Sequence, residues 1–466
     1  MLSRQVLKFV LLLAPVAVQA APANNPWHAK ARALLEHAVN IPTVAGRDRV
    51  PELAAYLADQ YRAAGIPDAD IKIMPYEKTA ALIVRWRAAG DANAGVKPIM
   101  VMAHMDVVEA KREDWSTDPF VFSEKDGYYY GRGTSDNKTG VVVTTTAILQ
   151  LKASGFKPKR DIIVFYTGDE ETTGIGAKLG ATKWHELLDV EYGLNSDAGG
   201  GGFTAEGRAL GFTLQTAEKT YADYVFTVRN RGGHSSQPRP DNAIYQLANA
   251  LHRLDTYRFE PVMSETTRAY FAGREKMEAG ALGDAMRAWL KNPADGAAAD
   301  LIEADEGEIG QTRTRCVATM LAGGHAENAL PQKATAIVNC RIMPGVAPDA
   351  IRAELEKVVA DPGVVVTPVD HRVASLASPL RQDVVGAVTE AVHARHPGVP
   401  ILPQMSTGAS DARPFRVIGI PVYGVDGAWG IVPIDSRAHG RDERLPVKAL
   451  DDDVDHWVHL LRRLGG

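Results

Sequence analysis

Two hydrophobic periods alternate along the chain between Trp27 and about Lys219, and that alternation constrains the fold more than any other feature. Apolar residues at helical spacing predict amphipathic helices over Lys30 to Val39, Arg49 to Ala64, Asn137 to Ala153 and Ala177 to Leu188. Gly65 and Gly155 close the second and third of these. Short apolar runs between them predict strands over Ala81 to Arg87, Pro98 to Ala103, Asp161 to Tyr166 and Val190 to Leu194. Such a chain buries both faces of a sheet under helices, which is the α/β class with a central, mostly parallel sheet. The glycine run Gly199 to Gly202 reads as a short loop.

The pattern changes at Tyr221. Strand Tyr224 to Arg229, helix Asn242 to Leu254, strands Arg315 to Leu321 and Ala334 to Arg341, helix Pro348 to Ala360 and strand Gly363 to Pro368 follow in order. This β-α-β-β-α-β succession predicts a small two-layer, ferredoxin-like α+β domain. A charged, alanine-rich, mainly helical insertion interrupts it over about 255–310, and its acidic run Glu303 to Glu308 reads as a solvated face or mobile loop. After about Arg372 the first pattern returns, with helix Leu380 to Ala394, strand Pro421 to Val425 and a terminal helix from Val447 to Leu464. The expected division is a leader over 1–20, a larger domain split into 21–219 and 373–466, and an inserted domain over 220–372.

The leader carries Arg4 and Lys8, an apolar stretch from Phe9 to Val18 and the small-residue end Val18-Gln19-Ala20, the layout of a cleavable secretory signal. The stretch is about half of what a membrane-spanning helix needs. The expected product is therefore soluble and exported, periplasmic or secreted, and begins near Ala21; an uncleaved anchor is the alternative. The 466 residues include 52 basic and 57 acidic ones, a formal charge of −5, and no basic block that would suit nucleic acid or anionic lipid. With only two cysteines, thiolate zinc chemistry is excluded, and any metal must be held by His, Asp and Glu. Cys316 and Cys340 come opposite each other if their two strands form a hairpin centred near Asn328. In an oxidising compartment they would bridge; a slip of one residue leaves two buried thiols.

Chemistry-bearing residues stand at the ends of the predicted strands. His104 and Asp106 share a face, so one imidazole nitrogen can bind a metal while the carboxylate holds the other. Asp136, in Gly-Arg-Gly-Thr-Ser-Asp, could bridge two cations or simply cap the following helix. In Asp169-Glu170-Glu171, adjacent side chains diverge, so one glutamate could bind metal while the other faces substrate and water; an exposed acidic turn is the alternative. Asp197 follows a strand, and His439 lies in a polar loop before the last helix. Each alone has a structural explanation. Their joint occurrence in order, at the ends of successive elements, predicts a site for two metal ions.

This set of motifs resembles the two-zinc metallopeptidase family of aminoacylases, glutamate carboxypeptidases, carnosine-type dipeptidases and succinyl-diaminopimelate desuccinylases. Gly232-Gly233-His234-Ser235-Ser236, Asn328-Ala329-Leu330-Pro331 and Arg341 extend the likeness into the inserted domain, which the resemblance implies is a lid and dimerisation domain. It also implies two zinc ions, with cobalt or manganese as substitutes. His104 and Asp197 would hold one, Glu171 and His439 the other, and Asp136 would bridge. Glu170 would be the general base acting on a metal-bridging water. His234 would stabilise the oxyanion, usually in the partner subunit's site, while Asn328, Arg341 and Gly408 would contact substrate. Asn137 and Thr139 depart from the family, which often has a second acid or a methionine, and a glycine, at those places.

The expected reaction is hydrolysis of a peptide or amide bond. An exopeptidase acting on peptides with a free C-terminus is preferred to an N-acyl amino acid deacylase, because export suits peptide scavenging and Arg341 suits a carboxylate. A lidless two-zinc aminopeptidase and a noncatalytic metal-dependent binding protein are the competing readings.

Overall fold

A computed structural model of the chain describes residues 25–90 and 95–466. The leader expected over 1–20 lies outside these residues. Among the described residues, no helix is long and apolar enough to cross a membrane.

The central sheet has eight strands in the order Ile71–Tyr76, Thr79–Trp86, Ile162–Thr167, Ile99–His104, Tyr192–Phe203, Val422–Ile431, Ala209–Glu218 and Ile401–Ser406. Ile99–His104 runs parallel to both neighbours, Val422–Ile431 to Tyr192–Phe203, and Ile401–Ser406 to Ala209–Glu218. The Ile71–Tyr76 hairpin is antiparallel and joins the rest antiparallel. Both faces are covered. Val101 and Ala103 pack with the helices Pro26–Val39, Val50–Ala63, Lys138–Ala153 and Val447–Gly465, while Met100 and Met102 pack on the other face with Trp184 and Phe415. Alternate residues of one strand thus enter different cores, which is why the run is apolar throughout.

Two readings of the larger domain need correction. The glycine run is strand, because Tyr192–Phe203 continues through it and pairs with Val422–Ile431. A Cβ on Gly201 would stand 2.4 Å from the Phe212 ring, and one on Gly199 2.6 Å from the Asp426 nitrogen. These glycines permit close approach within the sheet. The helix expected over Ala177 to Leu188 is only Ile175–Ala181, followed by the 3₁₀ turn His185–Leu187.

The second sheet has the order Arg315–Gly323, Lys333–Ile342, Thr220–Arg229, Val364–Pro368, all antiparallel. Helices Ala243–Thr256 and Pro348–Val359 share its core through Leu247, Leu355, Phe226 and Val338. Cys316 and Cys340 are bonded. Near the turn Met320 pairs with Ile337, a register that would set Cys316 against Arg341; a bulge between Ala318 and Met320 shifts it by one and brings the cysteines together.

The insertion forms helices Glu265–Arg274, Gly280–Lys291 and Gly296–Glu303, and it packs against the larger domain. Phe271, Met286, Trp289 and Ile302 share a core with Leu402 of the central sheet, and the hydroxyls of Thr266 and Thr216 meet at 2.7 Å. The acidic run is not wholly solvated. Glu303 and Glu308 are buried: Glu303 accepts from Thr312 N–H and hydroxyl, and Glu308 accepts from Tyr270 and Arg274. Buried carboxylates persist only with such donors.

Candidate metal centre

Three parallel strands deliver the centre from one side of the sheet. His104 ends one strand, Glu170 and Glu171 follow the next, and Asp197 lies within the third. The His104 ring is buried, and its Nδ1 lies 3.0 Å from the Asp106 carbonyl oxygen. A carbonyl only accepts, so the neutral ring carries its hydrogen on Nδ1 and presents the Nε2 lone pair to the site. The Asp106 carboxylate is farther away, at 3.6 Å, and instead accepts the N–H groups of Glu170 at 3.2 Å and Glu171 at 3.0 Å. Asp106 therefore orients the imidazole with its main chain and the Glu170-Glu171 turn with its side chain.

His104 Nε2 stands 3.0 Å from Asp136 Oδ1 and 3.3 Å from Asp197 Oδ1. The other Asp136 oxygen is 3.1 Å from His439 Nε2, which is 2.9 Å from Glu171. Two donor groups result, His104 with Asp136 and Glu171, and His104 with Glu170 and Asp197; within each, the donor atoms lie within 4.8 Å of one another. Asp136 turns one oxygen to each imidazole.

Burial and then Asp197 push Glu170 up to about 10, and burial and then Asp136 push Glu171 up to about 7. Burial also raises Asp197. The hydrogen bond that His439 donates to Asp136 raises His439 to about 9; burial opposes a charged His104, but its three acid neighbours outweigh that. Against its burial, Asp136 alone is held low, by its hydrogen bonds from His104 and His439. Three acids that resist ionising, around imidazoles driven to hold protons, complete a donor set that divalent cations fit, because cations replace the protons and relieve the repulsion.

The Asp136 loop is locked on both sides. The Asp136–Asn137 peptide is cis, and the Asn137 carboxamide donates to the Ser196 carbonyl at 3.1 Å, beside Asp197. A Cβ on Gly140 would stand 2.2 Å from Ser196 Oγ, so glycine lets the helix start against the Asp197 strand. Thr139 donates to the Thr134 carbonyl at 2.6 Å. Asp169 accepts from Ile175 and Gly176 N–H and from the Tyr76 hydroxyl, fixing the turn after Glu171.

The remaining site residues lie on the rim. A cleft of about 620 Å³ is bordered by Glu170, Tyr221, Arg372, Asp411 and Arg413. The Arg341 guanidinium lies 4.7 Å from the Tyr221 ring centroid and donates to the Thr407 carbonyl, next to Gly408. His234 is exposed on a two-residue ribbon paired with Ala329–Leu330, and Ser235 N–H donates to the Asn328 carbonyl. Ser236 N–H donates to His234 Nδ1 at 3.2 Å, leaving the ring hydrogen on Nε2. Among the described residues, no hydrogen bond or ion pair joins His234 or Asn328 to the acid–imidazole centre.

Sequence reasoning passed over Glu443, Arg132 and Asp411. Glu443 is fully buried and accepts from Arg132 at 2.7 Å and from the N–H groups of Gly133, Ser135 and Asp136. Burial raises Asp411 to about 8, and it is hydrogen-bonded to Thr167. Arg132 stood in the quoted glycine loop, and Glu443 four residues after His439, but nothing in a polar loop marks a buried acid.

The pattern of Peptidase family M20/M25/M40 matches residues 100–463. The probable carboxypeptidase S-like 2 of Dictyostelium discoideum is 26% identical over 402 residues, 82% of this chain and 74% of the relative. The N-fatty-acyl-amino acid synthase/hydrolase PM20D1.1 of Danio rerio is 27% identical over 386 residues, 80% of this chain and 73% of the relative. An M20 family metallo-carboxypeptidase of Sulfolobus solfataricus superposes with a TM-score of 0.65 at 17% identity, over 93% of this chain and 98% of that one.

Proposed function

This chain belongs to peptidase family M20/M25/M40 and is a hydrolytic enzyme, and from that premise we propose that it is an exported two-zinc exopeptidase that releases a residue bearing a free C-terminal carboxylate. The observation that carries the reading is the Asp136 carboxylate set between two imidazoles, with Glu170 opening onto the cleft. The family is dinuclear metal binding. Here His104 and Asp197 would hold one cation, Glu171 and His439 the other, and Asp136 both. When bound, such cations supply Lewis acidity that makes water a nucleophile near neutral pH and polarises the scissile carbonyl.

The protein's own residues do the rest. Glu170 takes the proton of the attacking water and returns it to the leaving amine. His234, with its hydrogen on Nε2, donates to the developing oxyanion when the small domain of this or a second subunit covers the cleft. Arg341, backed by the Tyr221 ring, offers a fork to the substrate carboxylate, with Gly408 lining the approach and Asn328 beside His234. The Cys316–Cys340 bridge supports export to a periplasmic or secreted location, since disulfides persist in oxidising compartments. Association through the small domain into a homodimer would bring His234 to its place.

Hydrolysis of N-acyl amino acids is the second reading, favoured by the relative of that activity at similar identity; its product also carries the carboxylate that Arg341 would bind. The deciding assay compares N-blocked dipeptides with free and amidated C-termini, dipeptide amides with a free N-terminus, and N-acyl amino acids, on metal-reconstituted enzyme. The exopeptidase cleaves the free-acid dipeptides and spares the amides. Turnover of N-acyl amino acids alone would transfer the assignment to the second reading, and removal of free N-terminal residues from amidated peptides would reject both.

A further inference from the structure

The Glu443 carboxylate is fully buried, yet every donor it meets belongs to the loop that presents Asp136. It accepts Ser135 N–H at 2.7 Å, Asp136 N–H at 2.9 Å, Gly133 N–H at 3.2 Å and the Arg132 guanidinium at 2.7 Å. Gly131 N–H donates to the Glu443 carbonyl at 3.2 Å. Arg132 in turn donates to the His439 carbonyl at 3.3 Å and lies against the Trp115 ring, 5.1 Å from its centroid. One carboxylate and one guanidinium thus tie the Asp136 loop to the His439 loop, although 303 positions separate Asp136 from His439 in the numbering. His104 and Asp197 lie on their own strands and take no part in the tie.

We propose that Glu443 and Arg132 are positioning residues that hold Asp136 and His439 in mutual register, so that the two cation subsites load as a coupled pair. This rests on the ligand assignment above. A buried acid surrounded by main-chain donors resists displacement, because moving it would strand several polar groups at once. Neither residue reaches the cleft. Their effect is expressed through the bridging carboxylate and the exposed imidazole, and the His439 subsite depends on them more than the His104–Asp197 subsite.

The test is titration of the metal-free full chain with cobalt(II), followed by visible absorption and electron paramagnetic resonance, for the wild type, Glu443→Gln and Arg132→Lys. In the wild type two ions bind and their spins couple. In Glu443→Gln the first ion binds within about threefold of the wild type, the second weakens on the order of 10- to 100-fold, as loss of an outer-sphere partner does, and the spin coupling disappears. Arg132→Lys keeps the charge but not the fork, and it shows the same selective loss if Glu443→Gln does not fold. Equal weakening of both ions in a folded variant, or wild-type binding of both, overturns the proposal. A wild-type protein that takes up no second ion instead overturns the ligand assignment beneath it.

Discussion

Two histidines of the candidate site stand at opposite extremes of constraint. His104 is 1% exposed, with a main-chain partner on one nitrogen and two carboxylates on the other. His234 is exposed on the small domain, and among the described residues its side chain is hydrogen-bonded only to Ser236. The first is placed by strand order, since parallel neighbours must end together and their last side chains must meet. In the proposed mechanism the second would be placed by how two domains, or two subunits, lie against each other. A centre built the first way is complete before substrate arrives; under the proposed function, a rim built the second way would complete the site only on closure.

The sharpest attack on this contrast is at the centre. Glu170→Gln should retain both metals and lose about 10³-fold in kcat, within the usual range for a positioned acid–base, and near-normal turnover would remove Glu170 from the chemistry. His234→Ala probes the rim: kcat should fall about 10²-fold or more, the loss expected for one oxyanion donor, with metal content unchanged. Loss of metal would place His234 in the centre after all. The proton load of the centre gives a third test. His439 is raised to about 9 by Asp136 and Glu171 to about 7 by burial, so a cation must displace the His439 proton below pH 9. Apparent affinity should rise at least about tenfold per pH unit from 7 to 9, with His104 adding to the slope where it too holds a proton, and more steeply below 7. Calorimetry in buffers of different ionisation enthalpy measures the protons released, and a pH-independent affinity would contradict this account of the centre. The smallest effect is expected at Arg341→Ala, which should raise KM for free-acid substrates about tenfold or more, a charged hydrogen bond being worth roughly 1.5–3 kcal/mol, with kcat and metal content little changed.

The elements that carry the centre were legible because their hydrophobic periods were unambiguous: the strands Ile99–His104 and Ile162–Thr167 lie within one residue of their expected bounds. Ile401–Ser406, with Pro403 and Gln404 in it, and Ala209–Glu218, without clean alternation, were not. The glycines of Tyr192–Phe203 misled for a definite reason: propensity reports conformational freedom, whereas here Phe212 needed the space. Motif residues such as His104 and Asp136 announce themselves by type and order. Glu443 does not, since its importance lies in donors contributed by residues 131–136, a long-range partnership that no local window contains.

The seating of the helical insertion has a mechanical consequence. Both ends of the insertion continue into the small domain, yet its body is anchored at Leu402 on the large sheet, so the two domains share a strut in addition to their two chain crossings. Besides the two crossings, any rotation of the small domain must then be absorbed within 260–264, just after Phe259 of the small-domain core, and within 304–314, which Glu303 grips through Thr312. Such a strut favours a narrow swing about a fixed axis over free opening, and the travel of the rim would be set by the stiffness of those two short segments.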